Sequence, residues 1–170
     1  MLTHVIVPLD GSKLAQTALD HALNLLGTSG KITLVSVLQP PDVPIYDFYP
    51  VAVTTQGKDY ESTFRESIVQ AQSYLSRLAS EIQADHPYQV SISVEIGDPA
   101  ALIVERAQEL HVDAIVMSTH GRSGVSRWLY GSVTQKVLSA NCCPVFVIPA
   151  KLYAESAATE SEKNNQTLPT

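Results

Sequence analysis

Three glycines, six serine and threonine hydroxyls and two arginines crowd residues 117–134, which read MSTHGRSGVSRWLYGSVT. Gly121, Gly124 and Gly131 fall between an apolar run, Asp113–Met117, and a helix-like run, Val133–Ala140. A loop that wraps a polyphosphate needs these parts. Glycine lets the backbone approach closely and takes φ > 0 without strain. Free N–H groups at a helix start bind anions. The hydroxyls of Ser118, Thr119, Ser123, Ser126, Ser132 and Thr134, with Arg122 and Arg127, supply further donors to phosphate oxygens. The reading is a nucleotide site. It is not a Walker loop, because no GxxxxGK[ST] string occurs.

The elements that must position this loop read as alternating strands and helices. His4–Leu9 is an apolar run that ends in Asp10-Gly11-Ser12, as a buried parallel strand does. Ser12 can cap a helix through about Gly27, with Leu14, Ala18, Leu19, Ala22, Leu25 and Leu26 as its stripe. Gly27 and Gly30 then punctuate its end, and Ile32–Leu38 is the second strand. Gln39–Gly57, with four prolines and three aromatics, reads as a long loop: a packed flap, a cover over the site or a dimer contact. Lys58–Ala84 is helical, with Phe64, Ile68, Ala71, Leu75, Leu78 and Ile82 on one side. Gln89–Ile96 alternates like a strand at a sheet edge. Asp98-Pro99 starts a helix to about His111. Asp113–Met117 is a fourth strand, Ser132 opens the last helix with Gln135 in capping-box position, and Pro144–Pro149 is a fifth strand. Residues 151–170 are polar, and disorder is the expectation for them. One domain, 1–150, is therefore expected, an α/β fold with a parallel sheet and helices on both faces.

Composition excludes some partners. The 170 residues carry 11 basic and 17 acidic side chains, net −6, which argues against a nucleic-acid surface. No apolar run approaches the ~18–20 residues of a membrane span, and MLTHVIVPLDGS lacks a charged signal-peptide start. A cytoplasmic protein is the expectation. Cys142 and Cys143 are adjacent, a poor geometry for an unstrained disulfide, and read as two reduced thiols. No spacing suggests a zinc site.

Spacing in the loop, Ser118-x2-Gly121-x9-Gly131-Ser132, resembles the G-x2-G-x9-G-[ST] pattern of the ATP-binding branch of the universal stress protein family, with Ser118 where the pattern has glycine. The resemblance covers roughly residues 1–150. It implies an adenine nucleotide alpha hydrolase-like sheet of five parallel strands in order 3-2-1-4-5. Ligands of such sheets lie at the switch point outside the carboxyl ends of the strands, here between strands 1 and 4. It implies that the ligand is ATP, with ADP or AMP as alternatives and Mg²⁺ alongside. The cofactor-binding residues it implies are Pro8, Leu9, Asp10, Val37, Met117, Ser118, His120, Gly121, Arg122, Gly131, Ser132, Val133 and Thr134. Asp10 would accept hydrogen bonds from ribose hydroxyls, Val37 would offer backbone to adenine, and His120 would touch phosphate. A two-fold homodimer through strand 144–149 is implied too.

Three function classes follow. The first is an ATP-binding regulatory protein of the stress response, with no catalytic residue assigned and no metal ligand from the protein. The second is a slow ATP-hydrolysing or adenylating enzyme. Adenylating relatives of the sheet carry SGGxDS after strand 1, where this chain has LDGS. The third is a nucleotide-free dimeric adaptor.

Overall fold

A computed structural model describes residues 1–40, 53–119 and 131–149, without the side chains of 53–60. The elements are β1 (Leu2–Pro8), α1 (Lys13–Leu25), β2 (Leu26–Leu38), α2 (Val53–Asp85), β3 (Gln89–Ile96), α3 (Pro99–Glu109), β4 (Ala114–Ser118), α4 (Ser132–Ala140) and β5 (Val145–Ile148). The five strands form one parallel sheet in the order β3-β2-β1-β4-β5. Both the order and the edge position of β3 match the expectation.

Alternation along the strands builds two cores. Val5, Val7, Leu34 and Val116 face α1 and α2, where they meet Ala15, Leu19, Leu75, Leu78 and Ile82. Ile6, Val35, Ile115 and Met117 face α3 and α4, where they meet Ala100, Ile103, Ala107 and Val137. Strands buried on both faces read as continuous apolar runs, which is why β1 and β4 were visible as such. Leu75 is fully buried, and truncating it to alanine should cost about 2–5 kcal/mol.

Capping fixes where two helices begin. Ser12 Oγ accepts from Ala15 N at 3.1 Å, and Asp98 Oδ1 accepts from Ala101 N at 2.9 Å with Pro99 in the first turn. At the opposite pole of the sheet, one oxygen of Asp113 accepts from Thr3 N (2.6 Å), Thr3 Oγ1 (2.7 Å) and His4 N (2.9 Å). Asp113 N returns a bond to His4 O at 2.8 Å. These bonds to the charged form hold the Asp113 carboxyl down to about 2.

Several boundaries differ from the sequence reading. α1 ends at Leu25, and β2 starts at Leu26 rather than Ile32, so Gly27 and Gly30 lie in the strand and not at a helix end. The cause is pairing: Leu2 sits opposite Leu26, followed by an irregularity in register before His4 meets Lys31. Gly30 gives Leu26 room there: a Cβ on it would stand 2.8 Å from Leu26 Cδ2, and the leucine side chain would have to shift. Helix α2 begins at Val53, so the loop expected to reach Gly57 gives way to helix five residues earlier. The rest of that loop, 41–52, lies outside the described residues, as does the tail 151–170. Finally, the cap of α4 is Gly131, with no side-chain bond, so the Ser132–Gln135 capping box does not form.

Candidate functional site

The β1–α1 connection is a tight turn at the carboxyl end of β1. Leu9 N donates to Val35 O at 2.7 Å and carries the chain one residue past the last β1–β2 pair, Pro8 with Val35. Asp10 Oδ1 then accepts from Ser12 N at 2.9 Å, an Asx turn over Gly11. Gly11 has φ +82°, a conformation that glycine takes without cost. Asp10 is half-buried.

Across the switch point β4 ends in Ser118 and the chain returns at Gly131. Gly131 N donates to Thr119 O at 2.7 Å. The buried Thr134 hydroxyl donates to Ser118 O (3.1 Å) and Thr119 O (3.3 Å). The first turn of α4 is thereby clamped to the end of β4. Gly131 has φ −58°, so its torsion does not need glycine. Gln135 N makes the first helical bond, to Gly131 O at 3.0 Å. The N–H groups of Ser132, Val133 and Thr134 thus have no partner inside the helix, and their dipoles favour an anion.

Strand β2 supplies a third edge. Its Val35 carbonyl points towards β1, whereas Leu38 O points towards β3 and accepts from Gly97 N. Backbone direction alternates along a strand, so Val37 also points to the β1 side. Pairing with β1 has ended by then, so among the described residues the Val37 N–H and C=O have no partner on β1, and Val37 lines the cavity beside it.

These pieces line one cavity of about 820 Å³, within the size range of small-molecule sites. Pro8, Leu9, Asp10, Val37, Met117, Ser118, Gly131, Ser132, Val133 and Thr134 all line it. His120, Gly121 and Arg122, like Gly124 and Arg127, lie outside the described residues. Thr134 lines the cavity, but its hydroxyl proton is shared between two carbonyls, so an anion can reach only its backbone N–H. Ser132 is exposed and keeps its hydroxyl at the helix start.

Sequence reasoning missed a whole wall. Ser67, Gln70 and Tyr74 of α2 line the cavity, as do Gly11, Ser36 and Ile103. Spacing i, i+3, i+7 puts the three α2 residues on one side of that helix, and this was the available signal. Pro99 joins them from the start of α3, where Lys136 Nζ on α4 pairs with Asp98 at 3.0 Å. The Ala101 amide and then Lys136 hold the Asp98 carboxyl below its ordinary range. That pair is exposed and braces α3 and α4 weakly.

Comparison with known proteins agrees with this architecture. A family model described as the universal stress protein family matches residues 1–149. The chain is 25% identical over 159 residues to universal stress protein MJ0577 of Methanocaldococcus jannaschii, covering 89% of this chain and 97% of that one. The solved structure of MJ0577 superposes with a TM-score of 0.71 at 22% identity, covering 86% and 95% of the two chains. A universal stress protein in complex with cAMP gives 0.55 at 21% identity (87% and 97% covered). A family protein from Arabidopsis thaliana with AMP bound gives 0.59 at 19% (86% and 91%). The shared fold is the adenine nucleotide alpha hydrolase-like one. With this sheet order and a family match over residues 1–149, the chain belongs to the universal stress protein family.

Proposed function

We propose that the chain is a regulatory stress-response protein that binds an adenine nucleotide, ATP first and ADP or AMP otherwise, in the cavity at the β1/β4 switch point. One observation carries this reading: an acceptor carboxylate, an open strand edge and a helix N-terminus converge on a single cavity. Each suits one part of a nucleotide. Asp10 can accept from ribose hydroxyls. The Val37 N–H and C=O can pair with the edge of adenine. The start of α4 and the Gly-rich segment can take phosphate. Relatives that hold AMP and cAMP support the same ligand class.

Binding is favoured over turnover. Among the described lining residues the titratable side chains are Asp10 and Tyr74, and Asp10 already holds its own turn. A bound polyphosphate would bring Mg²⁺, which supplies charge neutralisation at the phosphates; Ser132 is the described hydroxyl that fits beside it. The same reading has the chain act in the cytoplasm. Among the described residues no helix is long and apolar enough to cross a membrane. It also has two copies join through β5, a sheet edge on which Phe146 is exposed.

The test is direct. Purified protein is denatured, and released nucleotide is separated by chromatography; stripped protein is then titrated with ATP, ADP and AMP by calorimetry. Saturable binding of one of them with a stoichiometry near one per chain is expected. No released nucleotide and no heat of binding would leave the ligand-free adaptor instead.

A further inference from the structure

Tyr74 Oη is buried and makes no hydrogen bond, the one such side-chain atom among the described residues. Its neighbours explain how it is held. The ring packs against the core shared by α1, α2 and the sheet. The Arg77 guanidinium lies over the ring, 5.8 Å from its centroid. The Gln16 side chain of α1 lies near enough to the phenol to lower it, but the contact falls short of a full hydrogen bond. A buried hydroxyl without a partner is unfavourable, and native proteins rarely keep one that has no use. The Tyr74 side chain that carries it lines the cavity.

We propose that the Tyr74 hydroxyl reads the ribose of the bound nucleotide, sharing the 2′,3′-diol with Asp10 and so selecting ribonucleotides over their deoxy forms. The inference rests on the nucleotide reading above and assigns Tyr74 as a specificity residue within it. Phosphate belongs at the other wall, where α4 begins, and adenine at the open edge of β2. The α1–α2 wall is left with the sugar. Asp10 and Tyr74 both line this one cavity. Burial first of all raises the phenol above its ordinary value, so it stays protonated and can donate. A carboxylate can only accept. A sugar hydroxyl that donates to Asp10 still has lone pairs for a donor, and Tyr74 is that donor. The diol complements this pair of groups in a way that neither a base edge nor a phosphate does.

The experiment compares the wild type with Tyr74→Phe, which removes one oxygen and keeps the ring under Arg77. Calorimetry is run with ATP or AMP, whichever binds, and with its 2′-deoxy and 3′-deoxy forms. The wild type should bind the ribonucleotide roughly three- to tenfold more tightly than at least one deoxy form, the size of one neutral hydrogen bond. Tyr74→Phe should lose that factor for the ribonucleotide and narrow the gap. The melting temperature of its ligand-free form should be unchanged or higher. A wild type that binds ribo- and deoxy-forms equally overturns the inference without any mutant. Unchanged affinity in Tyr74→Phe, or an equal loss for all three ligands, also overturns it, while the nucleotide reading stands. A wild type that binds no adenine nucleotide at all removes the nucleotide reading, and Tyr74 with it.

Discussion

Asparagine at position 10 separates the turn bond of Asp10 from its proposed ribose contact. One carboxylate oxygen, Oδ1, accepts from Ser12 N at 2.9 Å and shapes the turn into α1. An asparagine carbonyl can keep that bond, so stability in urea should move by no more than about 0.5 kcal/mol. The second oxygen becomes an NH₂ group, which cannot accept from a ribose hydroxyl. A hydrogen bond to a charged group is worth about 1.5–3 kcal/mol, which is about 10- to 100-fold in affinity. Asp10→Ala makes the contrast. It would lose the proposed ribose contact and also the turn bond, which adds about 0.5–1.5 kcal/mol of destabilisation. Calorimetry with adenosine, AMP and ATP should show the same factor for all three with Asp10→Asn, because the ribose is common to them. Affinity within twofold of wild type for every ligand would refute the ribose role. A loss for ATP with none for adenosine would move Asp10 to the phosphate or metal end.

Further outcomes are expected elsewhere. Gly131 sits at φ −58° and ψ 156°, a backbone that valine can adopt, so Gly131→Val should fold and still weaken ATP far more than adenosine; equal ATP affinity in calorimetry would remove the phosphate cradle. The Asp113 carboxyl is held down to about 2 by Thr3 and His4, so its contribution is full above its unfolded value of ~3.9 and fades as pH falls towards 2. Urea midpoints of Asp113→Ala should lie below wild type at neutral pH, and the gap should close by pH 2; a constant gap would refute this. Light scattering at micromolar concentration should give about twice the 18.4 kDa chain mass, and a monomer would refute pairing through β5.

Local chemistry made much of this legible. Ser12 and Asp98 announced α1 and α3 because a cap is written in one side chain and the amide three residues on. The apolar runs of β1, β4 and β5 announced a parallel sheet, and the resemblance supplied the strand order. The beginning of β2 was not legible. Leu25-Leu26 fits the end of a helical stripe as well as the start of a strand, and only the partner, Leu2, decides. The start of α2 was hidden because Gly57, which usually marks a turn, lies inside the helix. Of the cavity lining, the residues at strand ends and at the start of α4 were legible as candidates from their types. The α2 wall was not. Ser67, Gln70 and Tyr74 flank the apolar stripe, and polar residues beside such a stripe read as a wetted face until a cavity is seen above them. Nor could spacing show that the Thr134 hydroxyl is turned inward onto β4.

The Asp113 clamp bears on how the molecule can be handled. It grips Thr3 and His4, while Met1 just ahead of them is 99% exposed. β1 runs seven residues from there to the cavity, about 20 Å at the usual strand rise. A dye, an affinity tag or a linker to a sensor chip joined ahead of Met1 would therefore leave from the pole opposite the mouth of the cavity. The clamp would keep its tugging from propagating into β1. Attachment after Pro149 is the opposite case: Ile148 O accepts from Thr119 N, at the end of the sheet where the cavity opens. Binding measured on a surface should therefore match binding in solution for the first geometry and fall short of it for the second.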